Sequence, residues 1–132
     1  MANKATSKQK LPRPTDGELS ILRVLWARGP STVRAVQETL GPDTGYTTVL
    51  KFMQIMTEKA LLIRDESART HVYEAAIPEE ATQRQLVKDL VDRAFAGSAQ
   101  KLVLQALSSK RASREELAEI RRLLDEIERK SK

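Results

Sequence analysis

The segment GYTTVLKFM, from Gly45 to Met53, carries hydroxyl, ammonium and amide side chains at helical spacing. At about 100° per residue, one side of a helix collects Thr47, Lys51, Gln54 and Glu58, with Thr48 at its edge. Short hydroxyl side chains in a first turn let a helix approach the major groove of DNA closely. Threonine methyls can contact thymine methyls, while lysine and glutamine can hydrogen-bond guanine and adenine. The pattern therefore predicts a base-reading helix. The alternative is a solvated helix surface on which the two threonines belong only to the helix cap.

The other side of this helix is apolar, so it needs a protein body to cover it. The predicted buried stripe consists of Val49, Phe52, Met53, Met56 and Ala60. Both patterns predict a third helix from about residue 45 to residue 60. The preceding segment GPDTG predicts a tight turn.

Two further helices are predicted before that turn. Thr15 and Glu18 form a capping box, and Gly29-Pro30 ends the helix that it starts. Either Ser31 or Thr32 caps a second helix, which ends at Leu40. After the third helix, β-favouring residues flank a polar tip at 65–70 and predict a hairpin. Helix, turn, helix and hairpin in this order are typical of a winged helix-turn-helix.

Other side chains near these elements are candidates for phosphate contacts. Arg69 lies at the predicted hairpin tip, and Arg34 lies in the first turn of the second helix. Ser31 and Thr32, at the start of that helix, either bind a phosphate or cap the helix. Tyr46 contacts a phosphate or packs as a hydrophobic staple; the two alternatives stay open. Trp26 is expected in the core and His71 on a strand surface.

The second half of the chain is predicted to form three helices that each carry one apolar stripe. The residues expected to make a dimer interface are Leu86, Leu90, Val91, Leu102, Val103, Leu104, Leu107, Leu117, Ile120 and Leu124. Short helices with one stripe each cannot build a sizeable core, and an exposed apolar patch of this extent marks an interface. The alternative is that the helices fold back on the winged helix.

Composition narrows the class of protein. The 132 residues carry a net charge of +5, which suits a polyanionic partner, and contain no cysteine. A single histidine and the absence of GxSxG, HExxH or a glycine-rich phosphate loop leave no basis for catalysis, a metal or a cofactor. No apolar run is long enough for membrane insertion. Residues 1–14, basic and without an apolar core segment, are expected to be a disordered arm rather than a secretory signal, and we expect a cytoplasmic protein.

From residue 15 to residue 128 the chain resembles the penicillinase-repressor (BlaI/MecI) family of bacterial transcriptional repressors. The segments that carry the resemblance are TDGELSILRVLW, GYTTVLKFMQIMTEKALL, RTHVYEA, DLVDRAFAGSAQKLVLQAL and SREELAEIRRLLDE. The resemblance implies that a winged helix binds one half of an inverted repeat and that the C-terminal helices intertwine with a second copy. It also implies repression of resistance or related genes, relieved by a membrane sensor-protease pathway that cleaves the dimerisation region.

The sequence departs from the family pattern at a few positions. Gln105-Ala106 stands where the family has its cleaved Asn-Phe step, and the cysteine-rich tail of the copper-responsive branch has no counterpart. Ala60 and Ala68 stand where relatives often have glycine, after the recognition helix and at the wing tip. Because alanine resists positive φ, we expect different turn geometries there.

The predicted fold is mainly α with a small β component: a winged helix-turn-helix in residues 15–77 and a three-helix dimerisation region in residues 78–132. The predicted function is a homodimeric repressor whose partner is a double-stranded DNA operator. The alternative is a winged-helix module that binds proteins and does not read DNA sequence.

Overall fold

Capping and glycine signals in the sequence define most of the element ends that the computed structural model shows. It describes residues 12–109 and 111–131, so most of the predicted basic arm lies outside the described residues. The elements are α1 (Asp16–Arg28), α2 (Val33–Leu40), α3 (Tyr46–Glu58), β1 (Leu62–Asp65), β2 (Val72–Ala75), α4 (Glu79–Ala94), α5 (Ala99–Ser109) and α6 (Arg114–Lys130). The chain divides into two compact units between Lys88 and Asp89, inside α4. The predicted domain limit at residue 78 falls immediately before α4, and it stays a prediction.

The predicted capping box at the start of α1 is confirmed. The Thr15 hydroxyl accepts a hydrogen bond from the Glu18 amide at 3.3 Å, and the Glu18 carboxylate accepts one from the Thr15 amide at 2.9 Å. Gly29 ends the helix with φ of 89°, a left-handed value that glycine adopts at little cost. Both ends of α1 are therefore set by local sequence.

The turn between α2 and α3 is fixed by a side chain as well as by its own residues. Thr32 caps α2 by accepting a hydrogen bond from the Ala35 amide at 3.1 Å. Gln37 of α2 donates to the Thr44 carbonyl at 3.0 Å, immediately before α3 begins. This hydrogen bond ties the exit of the turn to the bracing helix, which fixes the point where α3 enters.

Strands β1 and β2 form the predicted antiparallel hairpin. Leu62 pairs with Ala75 and Asp65 pairs with Val72. On the other side of β2, Ser31 forms an isolated bridge with Tyr73 through backbone hydrogen bonds of 2.9 and 2.8 Å. The hairpin is thereby anchored to the segment that precedes α2.

The core of this first unit lies between α1, α2, α3 and the base of the hairpin. Its buried apolar residues are Ile21, Leu22, Val24, Leu25, Val33, Val36, Val49, Met53, Met56, Leu61, Leu62 and Tyr73. Trp26, expected in the core, is only half-buried at its edge, where its indole N–H donates to the Ile77 carbonyl at 3.0 Å. Phe52 is likewise half-buried and packs against the core.

The end of α3 corrects two expectations. The helix stops at Glu58, so Ala60 no longer follows its periodicity and is exposed rather than part of the buried stripe. Ala60 nevertheless takes φ of 66°, the left-handed conformation that alanine was expected to resist. The expectation of a different turn geometry at this position is therefore wrong, and alanine bears the steric cost.

The second unit contains the end of α4 and helices α5 and α6. Ser113 caps α6 by accepting a hydrogen bond from the Glu116 amide at 3.0 Å. Ala96 and Gly97, both at positive φ, follow the end of α4. Across the described ranges, no helix has the length and apolar character required to cross a membrane.

Candidate nucleic-acid interface

The polar residues predicted to face outward on α3 do so. Thr47, Thr48, Lys51 and Gln54 are all exposed, while Val49 and Met53 on the opposite side are completely buried. We call these four exposed residues the recognition face. Lys51 has no ion-pair partner among the residues that the structure describes. Its charge is therefore available to an external anion.

The first turn of α3 has exposed backbone donors. Its N-cap residue is Gly45, which offers no side-chain oxygen to the amides of that turn. Uncapped amides at a helix N-terminus carry partial positive charge and favour an anion. The backbone therefore adds to the positive potential that Lys51 creates on this side of α3.

A cationic pocket of about 500 Å³ lies beside the recognition face. Its lining comes from the start of α2, the start of α3 and the wing: Thr32, Val33, Arg34, Tyr46, Leu50, Arg69, Thr70, His71 and Tyr73. We call it the wing pocket. One guanidinium group, that of Arg34, stands on α2, and the other, that of Arg69, shares the hairpin loop with the imidazole of His71, so only the folded unit brings them together. Guanidinium groups form charge-assisted, often bidentate hydrogen bonds with phosphate oxygens.

Tyr46 and Arg34, which both line this pocket, contact each other. The Arg34 guanidinium carbon lies 5.5 Å from the centroid of the Tyr46 ring, a cation–π distance. Tyr46 is 44% exposed. Its ring therefore orients the arginine at the surface.

Ser31 does not belong to this surface. It is buried, and its hydroxyl donates to the Gly29 carbonyl at 2.9 Å. Its backbone is occupied by the bridge to Tyr73. We therefore correct the expectation for Ser31: it joins the segment before α2 to the hairpin, while the neighbouring Thr32 provides the cap and lines the pocket.

The two arginines of the hairpin differ in their surroundings. Arg64 Nε donates to Glu66 at 2.6 Å, and hydrogen bonds to Tyr73 and then to Glu66 raise the pKa of the Arg64 guanidinium. Arg69, in the loop, has no ion-pair partner within the described part of the chain. Of these two arginines, Arg69 is therefore the one whose guanidinium group is available to bind a phosphate. His71 is exposed just before β2, close to the strand-surface position predicted for it.

An ion pair between the buried carboxylate of Glu18 and the partly exposed Lys59 holds the C-terminal end of α3 against α1. The Lys59 ammonium lies 2.9 and 2.8 Å from the two carboxylate oxygens of Glu18. Burial alone would raise the pKa of Glu18, but hydrogen bonds from Lys59 and Thr15 outweigh it and lower that pKa. The two residues are 41 positions apart in the sequence, and no local pattern predicts that they pair.

The residues predicted for dimerisation lie on α4, α5 and α6 and retain much of their exposure. Leu90, Val103, Leu104, Leu107 and Leu124 are exposed, and Leu86, Val91, Leu102, Leu117 and Ile120 are half-buried. Neither α5 nor α6 contains a single buried residue. Val87, Leu123 and Ile127 are further exposed apolar residues on the same helices.

Comparison with known proteins agrees with these features. The penicillinase repressor family model matches residues 14–126. The transcriptional regulator BlaI of Mycobacterium tuberculosis is 32% identical over 123 residues, covering 90% of this chain and 88% of that protein. The penicillinase repressor of Bacillus licheniformis is 23% identical over 126 residues, covering 94% and 98%. A solution structure of the DNA-binding domain of the repressor BlaI matches 53% of this chain and 88% of that domain, with 24% identity and a TM-score of 0.47.

The family match spans both the winged unit and the helices that follow it, and the relatives are matched over most of their lengths. The chain therefore belongs to the penicillinase repressor (BlaI/MecI) family of winged-helix transcriptional repressors.

Proposed function

We propose that this chain represses transcription by binding an inverted-repeat operator as a homodimer. One observation carries the proposal: the recognition face of α3 is exposed, lacks a side-chain cap and borders the wing pocket. In this proposal α3 enters the major groove by its N-terminal end. The wing lies along the adjacent backbone, with Arg69 near a phosphate.

The side chains divide into two roles. Thr47, Thr48, Lys51 and Gln54 face the base edges, because they stand on the exposed side of α3. The wing pocket, with Thr32, Arg34, Tyr46 and Arg69, receives a backbone phosphate. Phosphate contacts position a protein on the duplex, and base contacts give it sequence preference.

A second copy of the chain accounts for the apolar surface of the C-terminal helices. Leu104 and Leu124 are 60% and 58% exposed, and α5 and α6 bury no residue of their own. A homodimer interface removes such surface from water, which is favourable in proportion to its area. Dimerisation also sets two recognition helices about 34–36 Å apart, one helical turn of DNA.

Relief of repression requires an upstream signal, and proteolysis through a membrane sensor is the route that the family resemblance implies. The matching bond joins Gln105 and Ala106, which are exposed but lie within α5. Proteases cut preferentially in exposed loops rather than within helices. Cleavage here therefore requires local unwinding of α5, and the responsible protease must accept a Gln-Ala step.

Selection of duplexes from a random library by the full chain tests the proposal. We expect the selected DNA to contain an inverted repeat. Insertion of about five base pairs between the half-sites rotates one by half a turn and should abolish tight binding. No preference over random duplex at moderate salt would contradict the proposal and favour the protein-binding alternative.

A further inference from the structure

An apolar pocket of about 280 Å³ lies on the flank of α3, next to the recognition face. It is lined by Thr47, Thr48, Lys51, Phe52 and Ile55, and we call it the flank pocket. Thr48, Phe52 and Ile55 follow one another at steps of four and three residues, so they form one stripe along the helix. Ile55 is 40% exposed, although isoleucine is among the residues most often buried.

Gly17 at the start of α1 determines where the Phe52 ring lies. A Cβ atom at Gly17 would stand 2.9 Å from the ring's Cζ atom, closer than such atoms approach. The ring therefore packs directly against Gly17, where a Cβ atom would require the ring to shift. This contact keeps Phe52 beside Thr48 and Ile55 in the pocket lining.

The surroundings of the flank pocket identify the kind of group that would enter it. Lys51 stands in the lining, and no carboxylate does, which favours a polyanion over an acidic or neutral protein segment. Thr48, Lys51, Phe52 and Ile55 have the relative spacing of the four base-reading positions on a homeodomain recognition helix. An apolar group that DNA presents in its major groove is the thymine C5 methyl.

We propose that the flank pocket receives thymine methyl groups, with Thr48 and Ile55 as specificity-determining residues and Phe52 as the supporting ring. This inference rests on the proposed function, because α3 must lie in the major groove. It extends that function by naming thymine as a base that is read and by adding Phe52 and Ile55, which lie outside the recognition face.

Replacement of thymine by deoxyuridine tests the proposal, since it removes only the methyl group. The probe is the duplex that the full chain selects from a random library, with each thymine replaced in turn. Loss of one buried methyl should weaken binding roughly fourfold at a contacted position. At uncontacted thymines the affinity should stay unchanged.

Matching deletions on the protein identify the pocket as the reader. Thr48→Ser removes one methyl and keeps the hydroxyl, and Ile55→Ala removes the exposed side chain. For each variant, replacing the sensitive thymine by deoxyuridine should lower the affinity by less than about twofold, compared with the same variant on the thymine duplex. Ile63→Ala is the matched control, because Ile63 is 52% exposed on the hairpin and should leave the fourfold sensitivity intact. Thermal unfolding of each variant verifies the fold.

The outcomes separate this inference from the proposed function. If the chain prefers an inverted repeat but tolerates deoxyuridine everywhere, the inference is overturned while the repressor proposal stands. The same holds if Thr48→Ser and Ile55→Ala keep the full deoxyuridine sensitivity, because the methyl is then read elsewhere. If no duplex is preferred, both proposals are overturned.

Discussion

The Lys59 ammonium contacts both carboxylate oxygens of Glu18, at 2.9 and 2.8 Å, and so joins the end of α3 to the first turn of α1. The same carboxylate accepts a hydrogen bond from the Thr15 amide at 2.9 Å. Glu18 is therefore both the second half of a capping box and the anchor of the C-terminal end of α3. Because its side chain is only 4% exposed, this carboxylate depends on its partners.

Removal of the Lys59 charge should destabilise the first unit. Lys59→Met keeps the aliphatic stem but leaves a buried carboxylate without its main partner, which costs about 1–3 kcal/mol. The double variant Glu18→Gln with Lys59→Met should recover part of that loss, because no buried charge remains. Arg64→Met, which breaks an exposed pair with Glu66, should cost under about 1 kcal/mol. Urea unfolding followed by fluorescence of Trp26, the one tryptophan, measures all three. Equal losses for Lys59→Met and Arg64→Met would contradict the assignment.

The stability that Glu18 contributes should depend on pH in a defined direction. The pKa of Glu18 is lowered in the folded chain, so near pH 4 the unfolded chain binds more protons at this residue. The contribution is then complete well above the unfolded pKa of about 4.3 and is lost as pH falls through the folded pKa. The difference in unfolding free energy between the wild type and Glu18→Gln should narrow between about pH 7 and pH 3. A constant difference over that range would be inconsistent with the lowered pKa.

Ala60→Gly should stabilise the protein. Ala60 has φ of 66°, a conformation that costs an L-residue roughly 1–2 kcal/mol. Glycine removes that cost, but it also raises the conformational entropy of the unfolded chain, which destabilises the folded state by about 0.4–1 kcal/mol. We therefore expect a net stabilisation of about 0.5–1 kcal/mol. Ala35→Gly, inside α2, should instead lose about 1 kcal/mol. A loss of stability in both variants would mean that the left-handed turn is not strained.

Local signals predicted the order of elements because caps, glycines and apolar periodicity are properties of neighbouring residues. Thr15, Thr32 and Gly29 thus marked helix ends where the structure has them. Periodicity failed at Ala60, since it carries no information about where α3 stops. Nor could it show that Ser31 turns inward, because that depends on the backbone bridge to Tyr73.

The recognition face was predictable, whereas the groups around it were only partly so. Thr47 and Lys51 share an exposed side through helical spacing alone. The wing pocket requires Arg34 and Arg69 to meet from separate elements, and the flank pocket depends on the packing of Phe52 against Gly17. Such contacts join residues far apart in sequence, so they emerge only in the folded unit.

Arg69 and Arg64 should differ in their effect on the salt dependence of operator binding. Each phosphate contact contributes about 0.9 to the slope of log affinity against log salt concentration. Arg69→Ala should therefore reduce the slope by roughly 0.9. Arg64→Ala removes the same charge from the same hairpin, but Glu66 already occupies that guanidinium, so its slope should change much less. Titrations of a labelled operator at several salt concentrations give both slopes, and identical changes would exclude a specific role for Arg69.

Operator affinity of Lys51→Ala, measured beside Lys130→Ala, tests the central claim most directly. Both lysines are exposed on helices and both changes remove one positive charge, but only Lys51 lies on the recognition face. Lys51→Ala should weaken operator binding by about 1–3 kcal/mol with its fold intact, and Lys130→Ala should leave affinity nearly unchanged. If Lys51→Ala and a Thr47→Ala/Thr48→Ala double variant both bound the operator as tightly as the wild type, α3 would not be the DNA-reading element.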